Sequence, residues 1–232
     1  MAANSGEPRT ILWAWQQPED LRFLNPRRVG VSWLIETLWL EGSHVRVMAN
    51  LNPLQVPKST WLMACVRIET DPTRPPTFSP AQLHTVLHEL AAVARRPPMR
   101  GLQLDFDARQ SQQRFYRRLL FRLRRQLPLN QPLSITALAS WGLSDDWLHG
   151  VPVNEIVPML FNMGPEGGQV RRLLARDGGF PDPRFNAAAG LELEAPPTRV
   201  PARARIYLFD SRGWSRADWQ LWRRRSKRYT GP

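Results

Sequence analysis

The residues best suited to chemistry lie in one short run, from Gly101 to Asp107, that reads GLQLDFD. Alternate side chains of a β-strand point to opposite faces, so Gln103, Asp105 and Asp107 share one face and the apolar residues between them share the other. The two aspartates are about 6.6 Å apart at their Cα atoms. Glycoside hydrolysis uses paired carboxyl groups at separations of about 5 to 9.5 Å, which this spacing can reach.

A second strand-like segment also carries charged residues at alternate positions, on the face opposite its apolar residues. In residues 62–69, Cys65, Arg67 and Glu69 alternate with apolar neighbours, and the buried phase of such a strand carries charge only when the charge is paired or functional. Arg67 and Asp105 are therefore expected to be interior partners, either as a buried structural ion pair or as part of a site. Asp107 and Glu69, one step nearer the strand ends, are the leading catalytic candidates, and Asp105 supports them.

The elements that position these residues are eight short apolar runs, most of them separated by turn formers or helical patterns. Such alternation is typical of βαβ units and a parallel sheet. We predict an α/β fold, a (β/α)8 TIM-like barrel, as a single domain over residues 1–232. The eight runs are 11–16, 29–34, 62–69, 102–107, 133–140, 156–162, 190–194 and 205–210.

Several connections depart from a regular barrel. Residues 80–95 and 111–127 have helical periodicity, the first capped by Ser79 with Gln82 in a capping box. Residues 36–50 predict a β-hairpin excursion after the second strand, with its turn at 41–44. Residues 195–204 are too short and proline-rich for a helix, so the outer helix ring should be incomplete. Residues 214–232 predict a C-terminal helix and a basic tail.

Aromatic and polar residues near the ends of these strands are candidates for binding a sugar. Tryptophan rings can stack on sugar faces, and the alternative for each tryptophan is ordinary packing at the barrel rim. The predicted substrate-binding residues are Trp15, Arg67, Gln103, Arg109, Trp141, Asn162, Asp210 and Trp214.

Four segments, GLQLDFDAR, LSITALASW, PMLFNMG and ILWAWQ, resemble an uncharacterised bacterial domain family of unknown function, itself similar to the family-18 chitinase-like barrels. That resemblance implies an Asp-x-x-Asp-x-Asp-x-Glu motif at the end of the fourth strand, with the glutamate as acid. Asp105 and Asp107 match its second and third acids, whereas Leu102 replaces the first acid and Arg109 the glutamate. In the related Met-x-Tyr-Asp motif, the matching residues are Met159, Phe161 and Asn162.

Three functions follow. The first is a carbohydrate-active barrel, glycoside hydrolase-like, acting on a poly- or oligosaccharide. The second is a non-catalytic glycan-binding or structural barrel, favoured by Arg109 at the expected acid position. The third is a polyanion-binding protein, since 32 basic residues against 20 acidic residues give a net charge of +12. Nucleic acid is a weaker expectation, because the basic C-terminal residues 223–228 also suit a solvated tail.

Other features of the sequence limit the classes of protein to which the chain can belong. One cysteine, Cys65, excludes an intramolecular disulfide, and no motif implies a cofactor. His84 and His88 have i, i+4 spacing but no third ligand, so no metal site is predicted. No run approaches the roughly 18 to 20 apolar residues of a membrane span. Residues 1–8 lack the apolar core of a signal peptide, and localisation is either cytoplasmic or, if a leader was removed, exported.

Overall fold

The computed structural model describes residues 7–144, 146–197, 199–226 and 229. Its strands are β1 (Thr10–Ala14), β2 (Glu19–Asp20), β3 (Val29–Glu41), β4 (His44–Ala49), β5 (Leu54–Gln55), β6 (Leu62–Thr70), β7 (Gly101–Asp105), β8 (Leu133–Leu138), β9 (Glu155–Met159), β10 (Ala188–Glu192) and β11 (Arg205–Phe209). Its α-helices are α1 (Pro80–Ala94), α2 (Gln113–Gln126), α3 (Trp141–Ser144), α4 (Gly167–Asp177) and α5 (Arg216–Arg225).

Eight of these strands form a closed parallel barrel. Around the barrel they follow the order β1, β3, β6, β7, β8, β9, β10 and β11, and β11 pairs again with β1. Each of the eight runs predicted from the sequence forms one barrel strand, with small differences at the ends. The predicted α/β barrel is confirmed at this level, as eight parallel strands with helices between them.

β3 is longer than its predicted run. It continues to Glu41 and pairs antiparallel with β4, so the run at 29–34 and the first arm of the predicted hairpin are one strand. A register shift between Leu34 and Glu36 lets β3 stay paired with β6 while it bends away from the barrel. The outer strand β4 is largely exposed.

The helices follow the predicted pattern with local differences. The Ser79 hydroxyl accepts from the Gln82 backbone N–H at 3.1 Å, but the Gln82 side chain accepts from Phe78 N, not from the Ser79 N–H of a capping box. In the described part of the chain, no helix lies between β1 and β3 or between β10 and β11. Of the predicted tail, α5 is described, whereas residues 227, 228 and 230–232 lie outside the described residues, as do residues 1–6. No described helix is long and apolar enough to cross a membrane.

Strand alternation separates two apolar cores. The outward side chains of the barrel pack against the helices in the larger core, where Leu102 and Leu104 are fully buried. The inward side chains form a second cluster inside the barrel, which includes Ile11, Trp13 and Tyr207. Cys65 also points inward and is fully buried, as the sequence predicted.

Gln103 connects four strands inside the barrel. Its side-chain oxygen accepts from Trp13 Nε1 at 2.7 Å and from Ser32 Oγ at 2.8 Å, and its amide nitrogen donates to Ser134 Oγ at 3.1 Å. The amide therefore joins β7 to β1, β3 and β8. Because Gln103 is fully buried, each of these bonds replaces one that water would supply in the unfolded chain.

Replacement of Gln103 by leucine is expected to lower the free energy of unfolding by about 2 to 5 kcal/mol, because it leaves the Trp13 indole N–H and two hydroxyls buried without this partner. Urea denaturation followed by tryptophan fluorescence measures the change. The control is Gln126→Leu, at an exposed position of α2, with an expected change of about 0.5 kcal/mol or less. Equal stability of the two variants would contradict a structural role for the Gln103 amide.

Candidate functional site

A cavity of about 500 Å³ opens at the C-terminal ends of the barrel strands, and we call it the mouth cavity. Active sites of α/β barrels lie at this end, because the loops after the strands converge there. Five of the residues predicted for the site line it: Trp15, Arg67, Asp105, Asp107 and Asn162. The alternation of β6 and β7 therefore brings the predicted charges to one wall.

Arg67 is the central cation of this wall. Its Nη2 lies 2.5 Å from Glu69 Oε1, and its Nε lies 3.8 Å from Asp105 Oδ2. Thr136 Oγ1, on β8, donates to Asp105 Oδ1 at 2.7 Å. One oxygen of Asp105 thus accepts a hydrogen bond and the other faces a positive charge. The single positive charge of Arg67 lies beside two carboxylates, Glu69 and Asp105, and Asp107 adds a third acidic group to the same wall.

Asp107 has no such partner among the described residues. Asp107 lines the mouth cavity but is exposed, so its carboxylate is only partly dehydrated. The pKa of Asp107 is nevertheless raised to about 6, first because the cavity walls remove water from the carboxylate and second because Asp105 repels its charge; Arg67 opposes the shift. Burial also raises the pKa of Asp105, against the hydrogen bond from Thr136 and the charge of Arg67. With a pKa of about 6, the Asp107 carboxyl group is half protonated at about pH 6.

Aromatic rings form the opposite wall. Phe161, after β9, and Phe209, at the end of β11, are stacked with centroids 5.7 Å apart and planes inclined by 13°. Trp15 meets Phe209 edge to face at 6.3 Å, and Trp13 meets Phe161 in the same way at 6.2 Å. The Arg67 guanidinium lies 5.9 Å from the centroid of the Trp15 ring. The cavity is therefore apolar on one side and carries charged groups on the other.

Asn162 begins the loop that follows β9. Its φ of +49° lies in the left-handed region, which asparagine tolerates better than most residues. This turn carries Asn162 and, further on, Glu166 to the rim of the mouth cavity. The predicted strand end is therefore a turn that aims polar groups at the opening.

Three predicted site residues lie close to the mouth cavity without lining it. Glu69 contacts Arg67, which lines the cavity. Gln103 lies beneath the floor, where its amide is engaged by Trp13, Ser32 and Ser134. Arg109 is exposed and begins the short 3₁₀ turn before α2.

The remaining three predicted residues pack elsewhere. Trp141 begins α3 and is buried edge to face against Trp147 in the outer core, where the hydrophobic effect holds it away from the mouth cavity. Trp214 is also buried, and its Nε1 donates to the Trp13 carbonyl oxygen at 3.0 Å. Asp210 is 3% exposed and accepts from Arg212 N at 3.0 Å. The structure thus gives both tryptophans the rim packing that was the alternative to sugar stacking.

The sequence did not single out Glu19, which lies beside Asp210 at the seam between the first and last barrel strands. Glu19 is 5% exposed; its Oε2 accepts from Trp214 N at 3.0 Å, and its Oε1 has no hydrogen-bond partner among the described residues. Burial, with repulsion from Asp210, raises the pKa of Glu19 to about 7, and the bond from Trp214 opposes the shift. No periodic signal marks Glu19, because a two-residue strand after a turn has no readable alternation.

The histidine pair lies on the outer surface of a helix. His84 and His88 are exposed on α1, outside the barrel. Within the described ranges, no group of three or more histidine, cysteine or acidic side chains converges as metal ligands do.

Compared with known proteins, the chain matches no protein family, no curated protein and no solved structure. The interpretation of the site therefore depends on its geometry.

Replacement of Glu19 by glutamine is expected to stabilise the protein above pH 7. The folded-state pKa is raised from 4.5 to about 7, so ionisation destabilises the fold as pH rises through this window, and glutamine removes that effect. The gain should be near zero below pH 4.5 and reach up to about 3 kcal/mol above pH 7. Thermal unfolding at several pH values measures it.

Glu194→Gln is the control for this experiment, because Glu194 is exposed and paired with Arg212 at 3.0 Å. This variant should follow the pH dependence of the unchanged protein. If Glu19→Gln also followed it, the raised pKa of Glu19 would be wrong.

Proposed function

We propose that the protein is a carbohydrate-active barrel of the glycoside hydrolase type, which acts on a poly- or oligosaccharide in the mouth cavity. The observation that carries the proposal is a cavity that joins a carboxyl pair, Asp105 and Asp107, to an aromatic wall. Glycoside hydrolysis requires carboxyl groups that divide the roles of proton donor and charge stabiliser, and sugar rings pack on aromatic side chains.

Asp107 is the proposed general acid. A pKa of about 6 leaves part of the Asp107 population protonated near neutral pH, and the carboxyl group opens into the cavity, where a glycosidic oxygen can accept its proton. Partial loss of water at the cavity wall favours the protonated form, as it does more strongly for a catalytic carboxylic acid in an apolar site.

Asp105 is the proposed stabilising carboxylate. Burial raises the pKa of Asp105, and Thr136 and Arg67 oppose that shift and fix the orientation of the carboxylate. In its ionised form, its charge can oppose the positive charge that develops on the sugar in the transition state. The sequence suggested Glu69 as a catalytic residue, and we propose instead that it is a positioning residue. By pairing with Arg67 at 2.5 Å, it positions the guanidinium instead of touching the sugar.

The aromatic wall supplies the binding surface. One face of Trp15 is covered by the Arg67 guanidinium, and Phe161 and Phe209 stack on each other, so the outer faces and edges of these half-buried rings form the apolar surface. Asn162 and Glu166 at the rim add polar groups for sugar hydroxyls. A cavity of about 500 Å³ lies within the usual range of about 300 to 1,000 Å³ for small-ligand sites.

The resemblance to chitinase-like TIM barrels supports the same substrate class, and Arg109 alters what it implies. Arg109 stands where those enzymes carry the acidic glutamate, and it lies outside the mouth cavity. The acid must therefore be another group, for which we propose Asp107. The second candidate function, favoured by this replacement, is a barrel that binds a glycan and does not cleave it.

Asp107→Asn is expected to lower the rate of glycan hydrolysis by about 10² to 10⁴-fold, because asparagine fills the same volume and has no acidic proton. A screen of oligosaccharides for new reducing ends, with the unchanged protein and the variant side by side, measures the loss. Asp177→Asn, which removes an exposed carboxylate at the end of α4, is the matched control and should keep full activity.

Two other outcomes separate the candidates. Binding of a glycan by the unchanged protein without turnover would support the non-catalytic barrel. Turnover that survives in Asp107→Asn would contradict Asp107 as the acid. With Asp107 as the acid, the rate should fall as pH rises through about 6, because the reactive form is the protonated one.

A further inference from the structure

A second cavity, of about 690 Å³, lies at the opposite end of the barrel, and we call it the lower cavity. Its walls come from the N-terminal ends of several barrel strands and the residues before them. They include Glu7, Arg9, Asn130, Ser134, Asn154, Glu155, Arg203 and Arg205. The proposed glycan chemistry uses none of these residues.

The acidic groups of the lower cavity are already committed. Arg205 Nη1 lies 2.7 Å from Glu7 Oε2 and 3.0 Å from Glu155 Oε1. The Tyr207 hydroxyl donates to the other oxygen of Glu155 at 2.6 Å. One guanidinium and one hydroxyl thus hold both carboxylates.

Two exposed arginines are left at the rim. Arg9 and Arg203 form no ion pair in the part of the chain that is described. Both line the lower cavity, and Arg9 Nη2 donates to the Arg203 backbone carbonyl oxygen at 2.9 Å, which ties the two residues together at the rim. Two cations that line one cavity without an ion-pair partner among the described residues favour an anion, and the remaining N–H groups of an arginine can donate to the oxygen atoms of a phosphate group.

The backbone of Arg203 has a conformation that arginine rarely adopts. Ala204 N donates to the Pro201 carbonyl oxygen at 3.2 Å, which closes a turn, and Arg203, its third residue, has a φ of +63°. Glycine or asparagine is the usual residue at such a position. Non-glycine residues with a strained backbone are more frequent at binding sites, where the function of the side chain offsets the cost of the strain.

The electrostatic field around the lower cavity also favours an anion. The net charge of the chain is +12, and α2 has six arginines and no acidic residue. Arg124, near the end of α2, donates to Asn154 Oδ1 at 3.4 Å, so the basic helix ends beside the lower cavity. A positive field of this size draws anions towards the opening.

We propose that the lower cavity binds a phosphomonoester of a small polyol, such as a sugar phosphate, with the phosphate group between Arg9 and Arg203. The cavity is much larger than a phosphate ion, and the side-chain amides of Asn130 and Asn154 line it and provide hydrogen-bonding groups for hydroxyls. The site is independent of the glycan chemistry proposed for the mouth cavity.

Isothermal titration calorimetry with glucose 6-phosphate, glucose and inorganic phosphate tests the proposal on the full chain. Glucose 6-phosphate should bind with a Kd below about 1 mM, and glucose and inorganic phosphate should each bind at least about tenfold more weakly. Equal affinity for glucose, equal affinity for inorganic phosphate, or no binding of glucose 6-phosphate would each overturn it.

The variant Arg203→Gly tests whether Arg203 binds the phosphate group. Glycine adopts the same φ without strain, so the melting temperature should stay unchanged or rise while the affinity for glucose 6-phosphate falls by about tenfold. Arg118→Gln, on the exposed face of α2, removes the same charge away from the cavity and should bind normally. Unchanged binding by Arg203→Gly, or an equal loss in Arg118→Gln, would overturn the assignment to Arg203.

Discussion

The side-chain amide of Gln103 is the interaction on which the interior of the barrel depends. It joins four strands, and by accepting from Trp13 Nε1 it fixes the ring that forms part of the mouth cavity floor. The same alternation that turns Gln103 inward turns Asp105 inward one step nearer the mouth, and Asp107 follows two residues after the strand end. The position of Asp105 in the site therefore follows from the phase of a single strand, and the loop after that strand brings Asp107 to the same cavity.

Charge balance at the mouth then determines what those carboxyl groups can do. Arg67 neutralises Glu69 and contacts Asp105, while Thr136 completes the environment of Asp105. Asp107 receives no comparable partner among the described residues, and its neighbour repels its charge. Two chemically identical side chains, two residues apart, thus receive different environments, and a division of roles between proton donor and stabilising charge becomes available.

The sequence predicted the barrel strands and the charged wall well, because both depend on a period of two that is readable in a single strand. It predicted side chains at strand ends less well. Trp141 and Trp214 were expected at the mouth, but both are buried in the outer core, since a residue after a strand no longer obeys the alternation. Phe209 and Thr136 were not singled out, because their part in the cavity arises from neighbours that are distant in the chain. Glu19 was missed because its two-residue strand is too short to show an alternation.

The most direct test of the account is a ¹³C nuclear magnetic resonance titration of the aspartate carboxyl groups, with Asp107 assigned by comparison with Asp107→Asn. A titration midpoint near 6 is predicted, because the cavity walls and Asp105 disfavour the charged form. A midpoint near the ordinary value of 3.8 would contradict the account, since Asp107 would then be an ordinary ionised carboxylate with no proton to donate.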